Sequence, residues 1–144
     1  MEQAPAHVYE IFIRTTPERL WQALTDPALT QQYLFFGSRY ESDWQPGSAY
    51  IVSNANGNVV EGEILEIDPP RRLVMTWRAT FADIPVTTVT WMIEPIGDSC
   101  KLTLQHSGLE PGSPVTQGLG AAWTQIISSL KSLLETGQPL RLEQ

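Results

Sequence analysis

This 144-residue chain has one cysteine, two histidines and nine lysines and arginines. Each scarcity closes off some chemistry. Cys100 alone allows neither an intrachain disulfide nor a cysteine metal cluster, and reads as a buried strand thiol. Two histidines far apart, among scattered acids, offer no ligand spacing, so no metal and no other cofactor is expected. Sixteen acidic residues against nine basic leave a net charge of −7. No basic patch can then neutralise phosphates, so neither nucleic acid nor an anionic membrane is expected as a partner. No apolar run approaches the ~20 residues of a membrane span. Met1-Glu2-Gln3 lacks the basic and apolar regions of a signal peptide, which makes a cytoplasmic location the expectation. No repeat, low-complexity stretch or linker interrupts the chain, and its length suits one domain over residues 1–144.

What the chain does have is apolar pattern and five tryptophans. From Pro114 to Glu135, Leu119, Trp123, Ile126, Ile127, Leu130, Leu133 and Leu134 recur at spacings of three and four, which predicts one long helix. Ser113-Pro114 is an N-cap followed by a first helical residue, and Gly137 before Pro139 is a stop. Such a helix spans ~33 Å. Its wide apolar stripe requires a partner surface.

The rest of the chain predicts that surface. His7–Arg14 reads as a first strand, with Tyr9, Ile11 and Ile13 on one face. Pro17 opens a short helix carrying Leu20, Trp21 and Leu24, and Thr25-Asp26-Pro27 breaks it before a second, Ala28–Gln32. Tyr33-Leu34-Phe35-Phe36-Gly37 is an aromatic cluster in a connector, either a plug closing the core or the rim of a pocket. Arg39–Asp43 is a short strand, Trp44-Gln45-Pro46-Gly47 a turn with an aromatic anchor, and Ala49–Ser53 the next strand. Val59–Ile67 changes parity midway, which predicts a bulge near Gly62. In Arg72–Thr80, Leu73, Met75, Trp77 and Ala79 share a face; in Val86–Glu94, Val89, Trp91 and Ile93 do. In Ser99–His106 the inward row is Cys100, Leu102, Leu104 and His106, with Lys101, Thr103 and Gln105 facing solvent. Local hairpins argue for an antiparallel sheet covered on one face. The expectation is an α+β helix-grip fold: a curved antiparallel sheet of about six strands, two short helices and one long C-terminal helix.

Several of these segments, in this order, carry a resemblance. They are Arg14-Thr15-Thr16-Pro17-Glu18-Arg19-Leu20-Trp21-Gln22-Ala23-Leu24-Thr25-Asp26-Pro27, Trp44-Gln45-Pro46-Gly47-Ser48, Glu66-Ile67-Asp68-Pro69-Pro70-Arg71-Arg72-Leu73-Val74 with Trp77, and Val89-Thr90-Trp91. Trp123 and its Leu-rich helix complete the set. Over nearly the whole chain the sequence resembles the START-like (SRPBCC, helix-grip) superfamily, and within it the family named after the activator of the heat-shock-protein-90 ATPase. The resemblance implies an apolar cavity between sheet and helix. It leaves function open, because similar proteins include lipid and hormone binders, polyketide cyclases and a co-chaperone domain.

Three functions are therefore weighed. The leading one is binding of a small hydrophobic or lipid-like ligand, with Tyr33, Phe35, Phe36, Trp44, Trp77, Trp91, Leu104, His106, Trp123 and Ile127 as the site. The second is a co-chaperone-like protein-interaction module, with a chaperone as partner; a homodimer also stays open. The third is a cyclase- or hydrolase-type enzyme using His106 as general base with Glu63 or Tyr33. A binding role is expected ahead of a catalytic one. Ser53 and Ser107-Gly108 have no nucleophile-elbow context, and the glycines near Gly118 and Gly120 follow no phosphate-loop pattern.

Overall fold

A computed structural model describes residues 5–140, without the side chains of Pro5, Ala6 and Phe36. The Met1-Glu2-Gln3 reading lies outside the described residues. The elements follow as β1 (Pro5–Ile13), α1 (Pro17–Thr25), α2 (Pro27–Tyr33), a 3-10 turn (Phe35–Gly37), β2 (Arg39–Ser42), β3 (Ala49–Asn54), β4 (Gly57–Asp68), β5 (Arg72–Ala79), β6 (Thr87–Ile96), β7 (Ser99–Ser107) and α3 (Pro114–Thr136). The strands form one curved antiparallel sheet of seven, ordered β1-β7-β6-β5-β4-β3-β2, and four-residue β2 completes it at one edge. This is the expected helix-grip arrangement.

Local chemistry sets the helix ends. The Thr16 side chain accepts from the Arg19 N–H at 3.2 Å and starts α1. Asp26 then serves two helices, since its N–H closes α1 on the Gln22 carbonyl and its carboxylate caps α2 at the Ala28 N–H. Ser113 caps α3 at the Thr116 N–H, and Gly137 ends it in the left-handed conformation (φ 84°).

The inward rows of β5, β6 and β7 are buried as the alternation requires, from Leu73 to His106. Leu102, Leu104 and Leu130 are fully enclosed, each contributing about 1.5–3 kcal/mol through burial. Two details differ from the alternation. Thr103 and Val74 are buried although their parity points them away from the core. Strand β4 is irregular at two places, at Val59 against β3 (Val60 opposite Val52, Asn58 opposite Ser53) and at Leu65 against β5 (Ile64 opposite Met75, Glu66 opposite Val74), and at neither is the extra residue Gly62. Gly62 has another reason to be glycine. The Tyr50 ring crosses it to reach the Thr76 carbonyl, and a Cβ there would sit 2.2 Å from that oxygen.

Helix α3 is bound along its length to β1. His7 Nε2 donates to the Thr116 carbonyl at 2.7 Å and the Tyr9 hydroxyl to the Gly120 carbonyl at 2.8 Å. Further on, Lys131 donates to the Phe12 carbonyl, and Glu135 accepts the Arg14 N–H at 2.9 Å. The helix and strand thus run side by side in the same direction. The close approach depends on Gly120, where a Cβ would stand 2.6 Å from the His7 ring. Gly118, two residues away and on the other side of the helix, has no atom within 4 Å of an added Cβ. Substituting the two should therefore act in opposite directions. Gly120→Ala should destabilise by about 1–3 kcal/mol, while Gly118→Ala should stabilise by about 0.5–1 kcal/mol. Denaturant unfolding reads both, and shifts of the same sign would contradict this account of the β1–α3 contact.

Candidate functional site

Because α3 is tied to β1 at one edge of the sheet, the gap beneath it opens toward the other edge. A cleft of about 610 Å³ lies there, between the N-terminal half of α3 and strands β2 to β5. The helix contributes Val115, Gly118, Leu119, Ala122, Trp123, Gln125 and Ile126. The sheet contributes Tyr40, Val52, Val59, Val60 and Trp77, while Leu34 and Phe35 close one end. Phe81 and Ala82, from the loop after β5, reach the mouth, where Phe81 stands edge-on to Trp77 with ring centroids 6.1 Å apart.

One buried histidine fixes the floor of this cleft. His106 is 0 % exposed. The Trp123 indole N–H donates to His106 Nδ1 at 2.9 Å. An indole only donates, so Nδ1 is the acceptor and the ring proton sits on Nε2. Nε2–H then donates to the Thr87 hydroxyl at 2.8 Å, and that hydroxyl donates in turn to the Trp77 carbonyl at 3.2 Å. The Trp77 ring meets the imidazole edge-on at 4.8 Å. Both tryptophans of the cleft are thereby held by one side chain. Burial chiefly, and the charge of His7 secondarily, lower the His106 pKa from 6.5 to about 3.

The expected site residues divide accordingly. Phe35, Trp77 and Trp123 line the cleft. Trp91, Leu104, His106 and Ile127 lie beneath it in the core, with Trp91 edge-on to Trp123 at 5.9 Å. Trp44 packs beside Tyr40 at 6.4 Å, at the periphery, with an unusual φ of 55°. Tyr33 turns away and donates to the Ala23 carbonyl at 2.8 Å. The Phe36 side chain lies outside the described residues. The pairing of His106 with Glu63 or Tyr33 does not form. Its nitrogens are taken by Trp123 and Thr87, Glu63 is exposed on β4, and the Tyr33 hydroxyl is engaged elsewhere. A general base needs a free, titratable nitrogen facing substrate, and this imidazole has none.

Tyr40, Val52, Val60, Leu119 and Ala122 were not expected at the site. The sequence carried one signal for them: Gly118 and Ala122 place two small residues, four apart, on a helix face otherwise made of large ones. Among the described residues no three His, Cys, Asp or Glu side chains converge on a point, and no helix is long and apolar enough to cross a membrane.

A family model described as "Activator of Hsp90 ATPase homolog 1-like protein" matches residues 14–135. No curated protein matches the sequence. Among solved structures the chain is similar to DynU16, a putative protein in the dynemicin biosynthetic locus, with 26% identity and a TM-score of 0.78 over 92% of this chain and 48% of that one. It is also similar to PFC0360w, an HSP90 activator from Plasmodium falciparum, with 26% identity and a TM-score of 0.71 over 88% and 95% of the two chains. The Aha1 dimer from Colwellia psychrerythraea has the same fold, with a TM-score of 0.76 at 18% identity over 90% and 96%.

The His106 arrangement has a consequence for stability. Below pH 6.5 the unfolded chain takes up a proton that the folded chain refuses until about pH 3, so stability falls as pH falls through that window. Between pH 7.5 and pH 5 the wild type should lose about 2 kcal/mol more than His106→Gln, which cannot titrate. Denaturant midpoints at the two pH values measure this, and parallel losses would contradict the neutral, proton-refusing imidazole.

Proposed function

The chain belongs to the Activator of Hsp90 ATPase homolog 1-like family, and on that premise we propose that it binds a small hydrophobic or lipid-like molecule in the cleft between α3 and strands β2 to β5. One observation carries this reading. The inward tryptophans do not fill the interior, and about 610 Å³ stays open beside them. That volume lies within the range of roughly 300–1,000 Å³ that holds drug-sized molecules. Aromatic and aliphatic walls remove apolar ligand surface from water at about 25 cal/mol per Å². Polar groups are few, with Asn56 and Gln125 at the rim and Tyr40 on the wall, which suits a site that orients a ligand without reacting with it. A similar structure from a biosynthetic locus, DynU16, is compatible with small-molecule handling.

A protein-interaction role is the second reading. It is supported by the description of the family and by the Plasmodium falciparum HSP90 activator of similar structure. The Colwellia psychrerythraea dimer supports a second copy of the chain as a partner. Failure of the immobilised chain to retain the chaperone from a lysate would remove the first of these.

The ligand reading is tested by Gly118→Leu. A side chain at that position enters open space at the cleft mouth and improves helix propensity. The variant should melt about 1–4 °C higher than the wild type. Native mass spectrometry should at the same time show several-fold less co-purified small molecule. A wild-type chain that carries no small molecule and takes up no apolar probe would contradict the proposal.

A further inference from the structure

On the reading that the cleft binds a ligand, we propose that it selects an uncharged molecule and rejects anionic amphiphiles, fatty acids among them. No lining residue is Asp, Glu, Lys, Arg or His. A carboxylate drawn into such a space exchanges its water for apolar side chains and finds no counter-charge. A neutral molecule of the same size keeps the full gain from apolar burial.

The polar groups nearby do not replace a cation. Asn54 is occupied at both ends of its amide: Nδ2 donates to Ser38 Oγ at 3.0 Å, and Oδ1 accepts the Asn56 N–H at 2.8 Å. Asn56 and Gln125 are exposed at the rim and are neutral. The start of α3 lies beside the cleft, yet three of its first four positions offer no free amide, and the Val115 N–H is a neutral donor. Pro114 has no N–H, Thr116 N–H bonds Ser113 Oγ at 3.1 Å, and Gln117 N–H bonds the Ser113 carbonyl at 3.0 Å. At the mouth the exposed Asp83 follows Phe81 and Ala82 directly. The charge of −7 on the whole chain adds a repulsive field for any approaching anion.

What remains suits a neutral ligand with a hydroxyl or carbonyl near the mouth. Tyr40 brings a phenol to the wall, and Asn56 and Gln125 bring amides to the rim. These groups donate to or accept from a neutral oxygen.

A matched pair of fluorescent probes tests this: N-phenyl-1-naphthylamine, and 8-anilino-1-naphthalenesulfonate, which adds one sulfonate to the same rings. Titrated into the full chain, the neutral probe should bind at least ten-fold more tightly. Asn56→Lys places a cation at the exposed rim and should narrow that ratio several-fold by improving the sulfonate's affinity, which separates site charge from the probes' different solubilities in water. Equal or tighter binding of the sulfonate, or a ratio that Asn56→Lys leaves unchanged, overturns the selectivity while ligand binding stands. Binding of neither probe overturns both the selectivity and the ligand reading.

Discussion

The hydrogen bond from the Trp123 indole to His106 Nδ1 is the contact on which the site's shape depends. It joins the middle of α3 to β7, and through Thr87 to β6 and the Trp77 carbonyl. A buried indole N–H left without an acceptor costs about 1–3 kcal/mol, so the helix cannot slide or roll without losing it. The same bond orients the Trp123 ring, and the imidazole edge against Trp77 orients the second aromatic wall. His106 therefore acts as a support for the cleft, fixed by the two groups that occupy its nitrogens.

Two further constraints turn that support into an opening. Along β1 the helix is held by His7, Tyr9, Lys131 and Glu135, and Gly120 lets the backbone come close. Toward β2 to β5 the described residues show no comparable row of hydrogen bonds to the helix, and Gly118 and Ala122 leave the facing surface shallow. A helix held along one side and pinned in the middle stands off on the other side. The cleft follows from where the contacts are, and its charge-free lining follows from apolar strand rows that continue past the core into the open space.

Most of this fold could be read from the residues alone. The period of α3, its Ser113 cap and Gly137 stop, and the inward rows ending at His106 each follow from local chemistry. The bulge was harder to place. Gly62 looked like the irregular position, yet it is glycine because Tyr50 crosses it, a cross-strand fact invisible in linear order. The site was legible only in part. The sequence pattern points Trp77, Trp91 and His106 inward by strand parity and Trp123 by helical spacing, and all four are buried. It could not say that Trp91 and His106 lie beneath the floor while Tyr40, Val52 and Leu119 form the walls. That depends on the stand-off of α3, which is a property of tertiary contacts at β1. The pairing of His106 with Glu63 or Tyr33 failed for a similar reason, since the nearest partners, Trp123 and Thr87, come from other elements.

The central claim is that a ligand sits between the N-terminal half of α3 and strands β2 to β5. The five tryptophans supply five indole N–H resonances, so the most direct measurement is a proton–nitrogen correlation spectrum recorded while a neutral apolar probe is added. The account predicts that the indoles of Trp77 and Trp123 shift, together with backbone amides from Val115 to Ile126, while Trp21 and the C-terminal turns of α3 stay in place. Shifts confined instead to the exposed apolar residues of β1, Val8 and Phe12, with Trp77 and Trp123 unmoved, would contradict it.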